Sequence, residues 1–374
     1  MKKNVSVVKK QIETIAILGM GPSALFLGAL LSHKGFKVHV LDPKNSWDHP
    51  CGGPVLAADL QEFPILSEYG NFSEVRSIRF LSPSGRENVL AFSTPLEICQ
   101  RDQLMNFLKE KLLIGGGSIH AAKVEKVQRE RNGWCLDTKE GIVRADFLVG
   151  ADGAASFFRK SLGFLPFSDR MTMEVSYHLP PLLEKSSVVK FLEEGSGSFW
   201  AFPTPTGTQV RLWTRSQFLQ AVHLFDQLDI LTQNILQYQV PHDVKRKVAQ
   251  IPTVRGYPRS LFSEIVGPDW AAVGEAAGFV DPVSQEGLYY ALRSAELLVI
   301  ALTQEGNFQN NYRSRVKDVI AKPLRKRSRL RKFADHRRVI DWIVKRGKKT
   351  ETYQKLLMGL SGLGRAPRAG SQKS

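Results

Sequence analysis

Gly19, Gly21 and Ala24 stand at the spacing G-x-G-x-x-A in I-L-G-M-G-P-S-A, and Asp42 ends the next apolar run. The chemistry such a set can do is recognition of a pyrophosphate-linked dinucleotide. Gly19 permits a tight turn, Gly21 lets a phosphate approach the backbone, and Ala24 lets a helix pack closely on a strand. Pro22 and Ser23 open the helix, whose first amides and dipole suit the pyrophosphate. Asp42, roughly 20 residues past the turn, can accept hydrogen bonds from a ribose hydroxyl. The spacing does not say which dinucleotide is bound. A second glycine-rich stretch, V-G-E-A-A-G-F-V-D-P-V-S-Q-E-G-L-Y-Y-A, runs from Val273 to Ala291. Two such turns so far apart imply that the chain returns to its own N-terminal site to hold the far end of a long, two-part cofactor.

The elements that must position these residues follow from the pattern. Thr14 to Leu18 reads as a buried parallel strand, Gly19 to Ser23 as the turn, the stretch to about Ser32 as a helix, and Val38 to Leu41 as a second strand, together a βαβ unit. Ala145 to Arg159, A-D-F-L-V-G-A-D-G-A-A-S-F-F-R, reads as a buried strand stopping at Asp152 and Gly153. That pair suits either polar contact with a cofactor or a plain turn with an N-cap. From Arg170 to about Arg259 the pattern becomes β-rich, with one amphipathic helix through Phe218, Leu228 and Ile235. The fold class expected is α/β, with a Rossmann-type domain over residues 1–169, an inserted β-rich substrate domain over 170–259, a return to the first domain over 260–302, and a basic helical tail over 303–374.

The order G-x-G-x-x-A, then R-x-x-L (Arg101 to Leu104), then G-A-D-G-x-x-S-x-x-R, then G-E-A-A-G-F-V-D-P resembles the FAD-dependent family built on the para-hydroxybenzoate hydroxylase fold. P-C-G-G (Pro50 to Gly53) and G-S-F-W-A-F-P (Gly197 to Pro203) are most similar to its geranylgeranyl reductase branch, whose enzymes saturate isoprenoid double bonds. The resemblance implies FAD as cofactor. It puts Cys51, Gly52 and Gly53 against the isoalloxazine ring, Asp152 and Gly153 near the pyrophosphate, Arg101 near the phosphate or ribityl part, and the backbone at Val124 beside adenine. It also implies that Trp200, Phe202 and Pro203 help to line an elongated apolar pocket. Two departures fall in these motifs. Glu275 stands where the family has an aspartate that accepts from the ribityl chain, which keeps the acceptor but adds a methylene. Ser198 replaces a tyrosine, and the following strand, Q-V-R-L-W-T, lacks the family's glycine.

The amides of a helix opening at Gly287 and Leu288 would stabilise the negative charge that reduced flavin carries at its pyrimidine edge, with Glu286 in the turn before them. Saturating an alkene needs a hydride on one carbon and a proton on the other, and Cys51 is the candidate for the acid, against a bare structural cysteine. Asp281 before Pro282 is a turn starter or half of a polar pair with Glu286. The alternative activities are a flavin monooxygenase acting on an aromatic or polyketide-like substrate, with halogenation disfavoured because G-S-F-W-A-F-P lacks one halogenase tryptophan, and a non-enzymatic flavin- or membrane-binding protein. No second G-x-G-x-x-G unit marks a site for NADPH, so the electron donor is either NADPH meeting the flavin directly or a protein carrier.

The rest of the composition is exclusionary. The chain has 374 residues, 43% of them hydrophobic and 24% charged, enough for a large buried core. The three cysteines, Cys51, Cys99 and Cys135, form no C-x-x-C pair, and the histidines show no ligand spacing, so neither a disulfide framework nor a metal site is expected and a cytoplasmic setting fits. Gly19, Gly21 and Pro22 interrupt the uncharged run Thr14 to Ser32, which argues against a signal peptide. Of the net charge of +16, the segment 313–349 carries +13, from 16 Lys or Arg against three Asp. Its cations, mixed with Leu324, Leu330, Phe333, Ile340, Trp342 and Ile343, suit an anionic membrane surface or, more plainly, a solvated helical extension. No nucleic-acid module accompanies the charge.

Overall fold

The computed structural model describes residues 12–44, 57–165, 171–193, 197–214, 221–252, 259–334, 336–347 and 350–361. Two large sheets organise the molecule. The first has five parallel strands, in the order Trp270–Ala272, Phe147–Gly150, Thr14–Leu18, Lys37–Asp42 and Ser118–Ala121. Its central strand, T-I-A-I-L, is buried from Ile15 onward, as a strand covered on both faces must be. The helix Pro22–Ser32 packs against the helices Arg101–Ile114 and Leu288–Thr303 and is apolar on nearly every side. That explains its lack of an amphipathic pattern, because a helix enclosed all round has no polar face. Trp270–Ala272, from the late part of the chain, pairs with Phe147–Gly150, which itself pairs with Thr14–Leu18. The expected return of the chain to its N-terminal unit is therefore built into the sheet.

The second sheet has seven strands, ordered Lys247–Pro252, Met171–Leu179, Gly207–Thr214, Gly197–Thr204, Ser186–Phe191, Phe72–Leu81 and Glu87–Cys99. The last two lie inside the stretch 1–169 that sequence assigns wholly to nucleotide binding. The correction has a topological cause: Phe72–Leu81 pairs in parallel with Ser186–Phe191, a contact between segments far apart in sequence. A three-stranded meander, Val124–Glu130, Gly133–Thr138 and Gly141–Ala145, flanks the first sheet.

Period-two alternation splits the second sheet into two faces. Val175, Tyr177, Phe199 and Leu212 pack against Leu224 and Leu228 of the helix Ala221–Leu236. The opposite face carries Ile78, Phe80, Trp200 and Phe202, and it is covered by Ile340, Ile343, Val344 and Leu357 of the helices Arg337–Arg346 and Glu351–Leu360. The C-terminal region is thus helical, as expected, but it is a wall of the body. Leu324, Ile340 and Ile343, expected as membrane-facing groups, are buried instead, because they meet apolar partners on the sheet and on the first domain. Leu330 and Trp342 remain exposed. Arg327 anchors the wall: it pairs with Asp281 and donates to the Gly359 carbonyl at 2.7 Å.

Candidate active site

At the C-terminal ends of the parallel strands lies a two-lobed cleft. The outer lobe, about 700 Å³, is lined by Gly19, Gly21, Asp42, Lys44 and the backbone run Ala122 to Glu125. The inner lobe, about 440 Å³, is lined by Gly19, Gly21, Pro22, Ser23, Arg101, Asp152, Gly153, Glu174, Glu275, Gln285, Gly287 and Leu288. Gly19, Met20, Gly21, Asp42, Asp152 and Ala155 belong to both lobes and form the waist between them. At the waist Gly19 has φ of +101°, and a Cβ there would lie 2.5 Å from the Ala151 carbonyl oxygen. No side chain fits, so the two strand ends can meet only through glycine. Asp42 ties the turn down: its Oδ2 accepts from the Met20 amide at 3.0 Å and its Oδ1 from the Lys44 amide at 2.8 Å. A dinucleotide needs this shape, with two lobes for its two ends and a backbone-lined waist for the pyrophosphate. The residues present fit FAD.

Most positions singled out by sequence converge here. Gly19, Gly21, Pro22, Ser23, Asp42, Arg101, Asp152, Gly153, Glu275, Gly287 and Leu288 line the inner lobe, and Val124 lines the outer one. Ala24 is fully buried in the helix that packs on the first sheet, the packing role its spacing implies. Asp152 braces Ser156, which is the N-cap of the following helix. It faces the cleft, and it holds the following helix by accepting from Ser156 Oγ at 2.6 Å and the Phe158 amide at 2.9 Å. Burial raises its pKa, and those hydrogen bonds oppose the rise. The extra methylene of Glu275 is accommodated where residue 287 is small, since a Cβ on Gly287 would sit 3.2 Å from Glu275 Oε1. Cys51, Gly52 and Gly53 lie outside the described residues.

The three pocket residues Trp200, Phe202 and Pro203 do not form one wall. Alternation along Gly197–Thr204 sends Trp200 and Phe202 to the face under the C-terminal helices and Pro203 to the other. Trp200 and Phe202 are core side chains, each 1% exposed, and the Trp200 indole donates to Ser198 Oγ at 3.0 Å. Ser198 gives that indole an acceptor two residues away on the same face.

Glu174 and Arg211 were not foreseen. They occupy diagonal positions on paired strands, Glu174 opposite Trp213 and Ser176 opposite Arg211. Arg211 Nη1 donates to Glu174 Oε2 at 3.0 Å, its Nη2 donates to Glu286 Oε1 at 3.1 Å, and its guanidinium lies 5.4 Å from the Trp200 ring centre. Glu286 Oε2 lies 3.6 Å from Arg101 Nη2. Burial pushes Glu174, Glu275 and Glu286 each up to about 7; Arg211 and Arg101 oppose the rise at Glu174 and Glu286, and Arg101 alone opposes it at Glu275. The signal in sequence was a lone charge in each of two apolar strands, M-T-M-E-V-S-Y-H and Q-V-R-L-W-T. A second cavity, about 620 Å³ and mostly apolar, lies between Leu90, Phe92, Val283, Ile343, Met358 and Leu360, with Arg327 and Lys355 on its wall. The loop from Asp281 to Gly287 separates it from the cleft, because Val283 faces one cavity and Gln285 and Gly287 the other.

No family model matches the chain. It is 24% identical over 315 residues to the geranylgeranyl diphosphate reductase of Synechocystis, covering 78% of this chain and 76% of that protein. Among solved structures, a geranylgeranyl bacteriochlorophyll reductase-like protein of Thermoplasma acidophilum superposes with a TM-score of 0.79 at 17% identity, covering 93% of this chain and 96% of the other. A halogenase in complex with FAD superposes with a TM-score of 0.65 at 16% identity, covering 96% of this chain and 85% of the other. The chain thus shares its fold with a geranylgeranyl bacteriochlorophyll reductase-like protein and with a halogenase solved with FAD.

Proposed function

We propose that the chain is an FAD-dependent oxidoreductase that reduces carbon–carbon double bonds of an isoprenoid or other apolar substrate. The observation that carries this reading is the pair of cavities across the loop Asp281 to Gly287, one glycine-lined and charged, the other apolar and closed in by the C-terminal helices. Reduced FAD supplies the hydride for alkene saturation. Gly19 and Gly21 would admit its pyrophosphate, Asp42 and the backbone at Val124 would hold the adenosine end, and Glu275 would accept from the ribityl end. The helix that starts at Leu288 begins at the inner lobe, where its N-terminal end would favour negative charge. Leu90, Phe92, Ile343 and Met358 would hold an apolar chain away from water. The similarity to a geranylgeranyl diphosphate reductase supports an isoprenoid as that chain.

Substrate delivery fits an anionic membrane surface. Leu330, Trp342 and Leu356 are exposed on the C-terminal helices, among the exposed cations Lys326, Arg329, Arg338, Lys345 and Lys355. Leu330 and Leu356 also line the apolar cavity, so its mouth lies in that patch. Among the described residues no helix is long and apolar enough to cross a membrane. The reading is tested by incubating the anaerobically reduced, FAD-loaded protein with a membrane lipid extract. Prenyl species gaining two hydrogens are expected. Products that gain oxygen on admission of air, or no product at all, would overturn it.

A further inference from the structure

Phe157 and Phe158 are neighbours in sequence, and the fold treats them in opposite ways. Successive residues of a helix point about 100° apart, so a core on one side takes only one of the two rings. Phe158 is the one taken: it is fully buried against Trp270, with ring centres 5.7 Å apart. Phe157 opens the helix Phe157–Ser161 and is 37% exposed, the one exposed phenylalanine among the described residues. It lines the outer lobe of the cleft, together with Asp42, Asp152 and the backbone run Ala122 to Glu125. Among the described residues that line this lobe, it is the only aromatic side chain.

Two further observations give the lobe the form of a slot for a flat ring. The helix Phe157–Ser161 packs against the strand Val124–Glu130, so the phenyl ring and the start of that strand bound the same space. At that start the ladder to Gly133–Thr138 slips by one residue between Val124 and Lys126, and a bulge of this kind leaves a residue unpaired with the partner strand. An apolar ring together with backbone donors and acceptors suits a heteroaromatic base, whose face stacks and whose edge takes hydrogen bonds. A base laid on the phenyl ring removes apolar area from water on both partners.

We propose that Phe157 is the stacking platform for the adenine of FAD and makes the site favour a dinucleotide over a mononucleotide. The proposal rests on FAD as the cofactor, and not on which bond the enzyme reduces. With the pyrophosphate at the glycine-lined waist and the flavin end in the inner lobe, the adenosine end falls in the outer lobe, where Phe157 stands. FMN has no adenine, so it gains nothing from the ring.

The test is calorimetric binding to the full-length protein stripped of flavin, with FAD, FMN and ADP as probes. Phe157→Ala should raise the Kd of FAD and of ADP by a common factor of roughly ten, as loss of one base–aromatic contact does, and leave FMN unchanged. Phe157→Leu, which keeps apolar bulk without a ring, should lose nearly as much. Phe157→Trp should bind FAD at least as tightly as wild type, and ADP should quench the emission of the added indole. Because Phe157 is exposed, the melting temperature of the flavin-free variants should stay that of wild type. An unchanged FAD affinity in Phe157→Ala, a loss shared equally by FMN, or an added indole that ADP leaves unquenched would overturn the proposal. A lowered melting temperature with all three affinities reduced would make Phe157 a packing residue and overturn it too. Wild type that binds none of the probes would contradict FAD as the cofactor, whereas wild type that binds FAD and ADP but reduces no prenyl lipid would contradict alkene reduction alone.

Discussion

The waist of the cleft and the inner face of the second sheet both hold acids, half-buried at the waist and buried on the sheet, yet they satisfy them differently. At the waist Asp42 and Asp152 use their oxygens on backbone amides and a serine, partners that a turn supplies by its own shape. On the sheet face Glu174, Glu286, Arg211 and Arg101 have chiefly one another, with Glu275 close by. Amides hold a carboxylate in one place and cannot titrate. A ring of mutual ion pairs is responsive, since the removal or protonation of one member shifts the rest. A rigid waist suits a cofactor that must sit still, and the ion-paired face is the part that answers to pH.

That contrast can be broken at either end. Gly19→Val should be the most damaging change to the rigid half, because the side chain has nowhere to go and φ is wrong for it. Loss of bound flavin after reconstitution is the expected result, read from the absorbance of the purified variant. On the responsive face, Arg211→Met strands two carboxylates and should destabilise the protein by roughly 3–5 kcal/mol in denaturant titration. The same experiment repeated with pH gives a signed check. Glu174, Glu275 and Glu286 have folded pKa values raised to about 7 from 4.5, so the native state binds protons that the unfolded chain releases. Stability of the flavin-free protein should therefore fall as pH rises between those values, and Glu174→Gln should flatten the slope. Loosening the C-terminal wall by Arg327→Met should cost less, on the order of 2 kcal/mol, and expose the apolar cavity to protease. Smallest should be Trp342→Ala, which leaves folding intact and weakens flotation with anionic vesicles several-fold.

The two halves also differ in how much of them could be read from the chain. The waist is local: Gly19, Gly21, Ala24 and Asp42 sit within one βαβ unit, so spacing along the sequence is spacing in space. The return through Val273 to Ala291 was legible for the same reason, since a glycine turn announces itself wherever it falls. Glu174 and Arg211 become neighbours only through strand register, which no single segment encodes. Trp200 and Pro203 were grouped by motif but belong to opposite faces, a distinction that appears once Gly197–Thr204 is known to be a strand. In the C-terminal region, charge was visible and burial was not. Ile340 and Ile343 look membrane-facing until the sheet they cover is in place.

The account stands most directly on a single anaerobic turnover. Reduced, FAD-loaded protein is mixed rapidly with an isoprenoid lipid while the flavin absorbance is followed and the lipid is recovered for mass analysis. The expected result is return of the oxidised flavin spectrum without oxygen, with one double bond saturated for each flavin oxidised. Flavin that stays reduced until air is admitted, with the lipid unchanged or oxygenated, would contradict it.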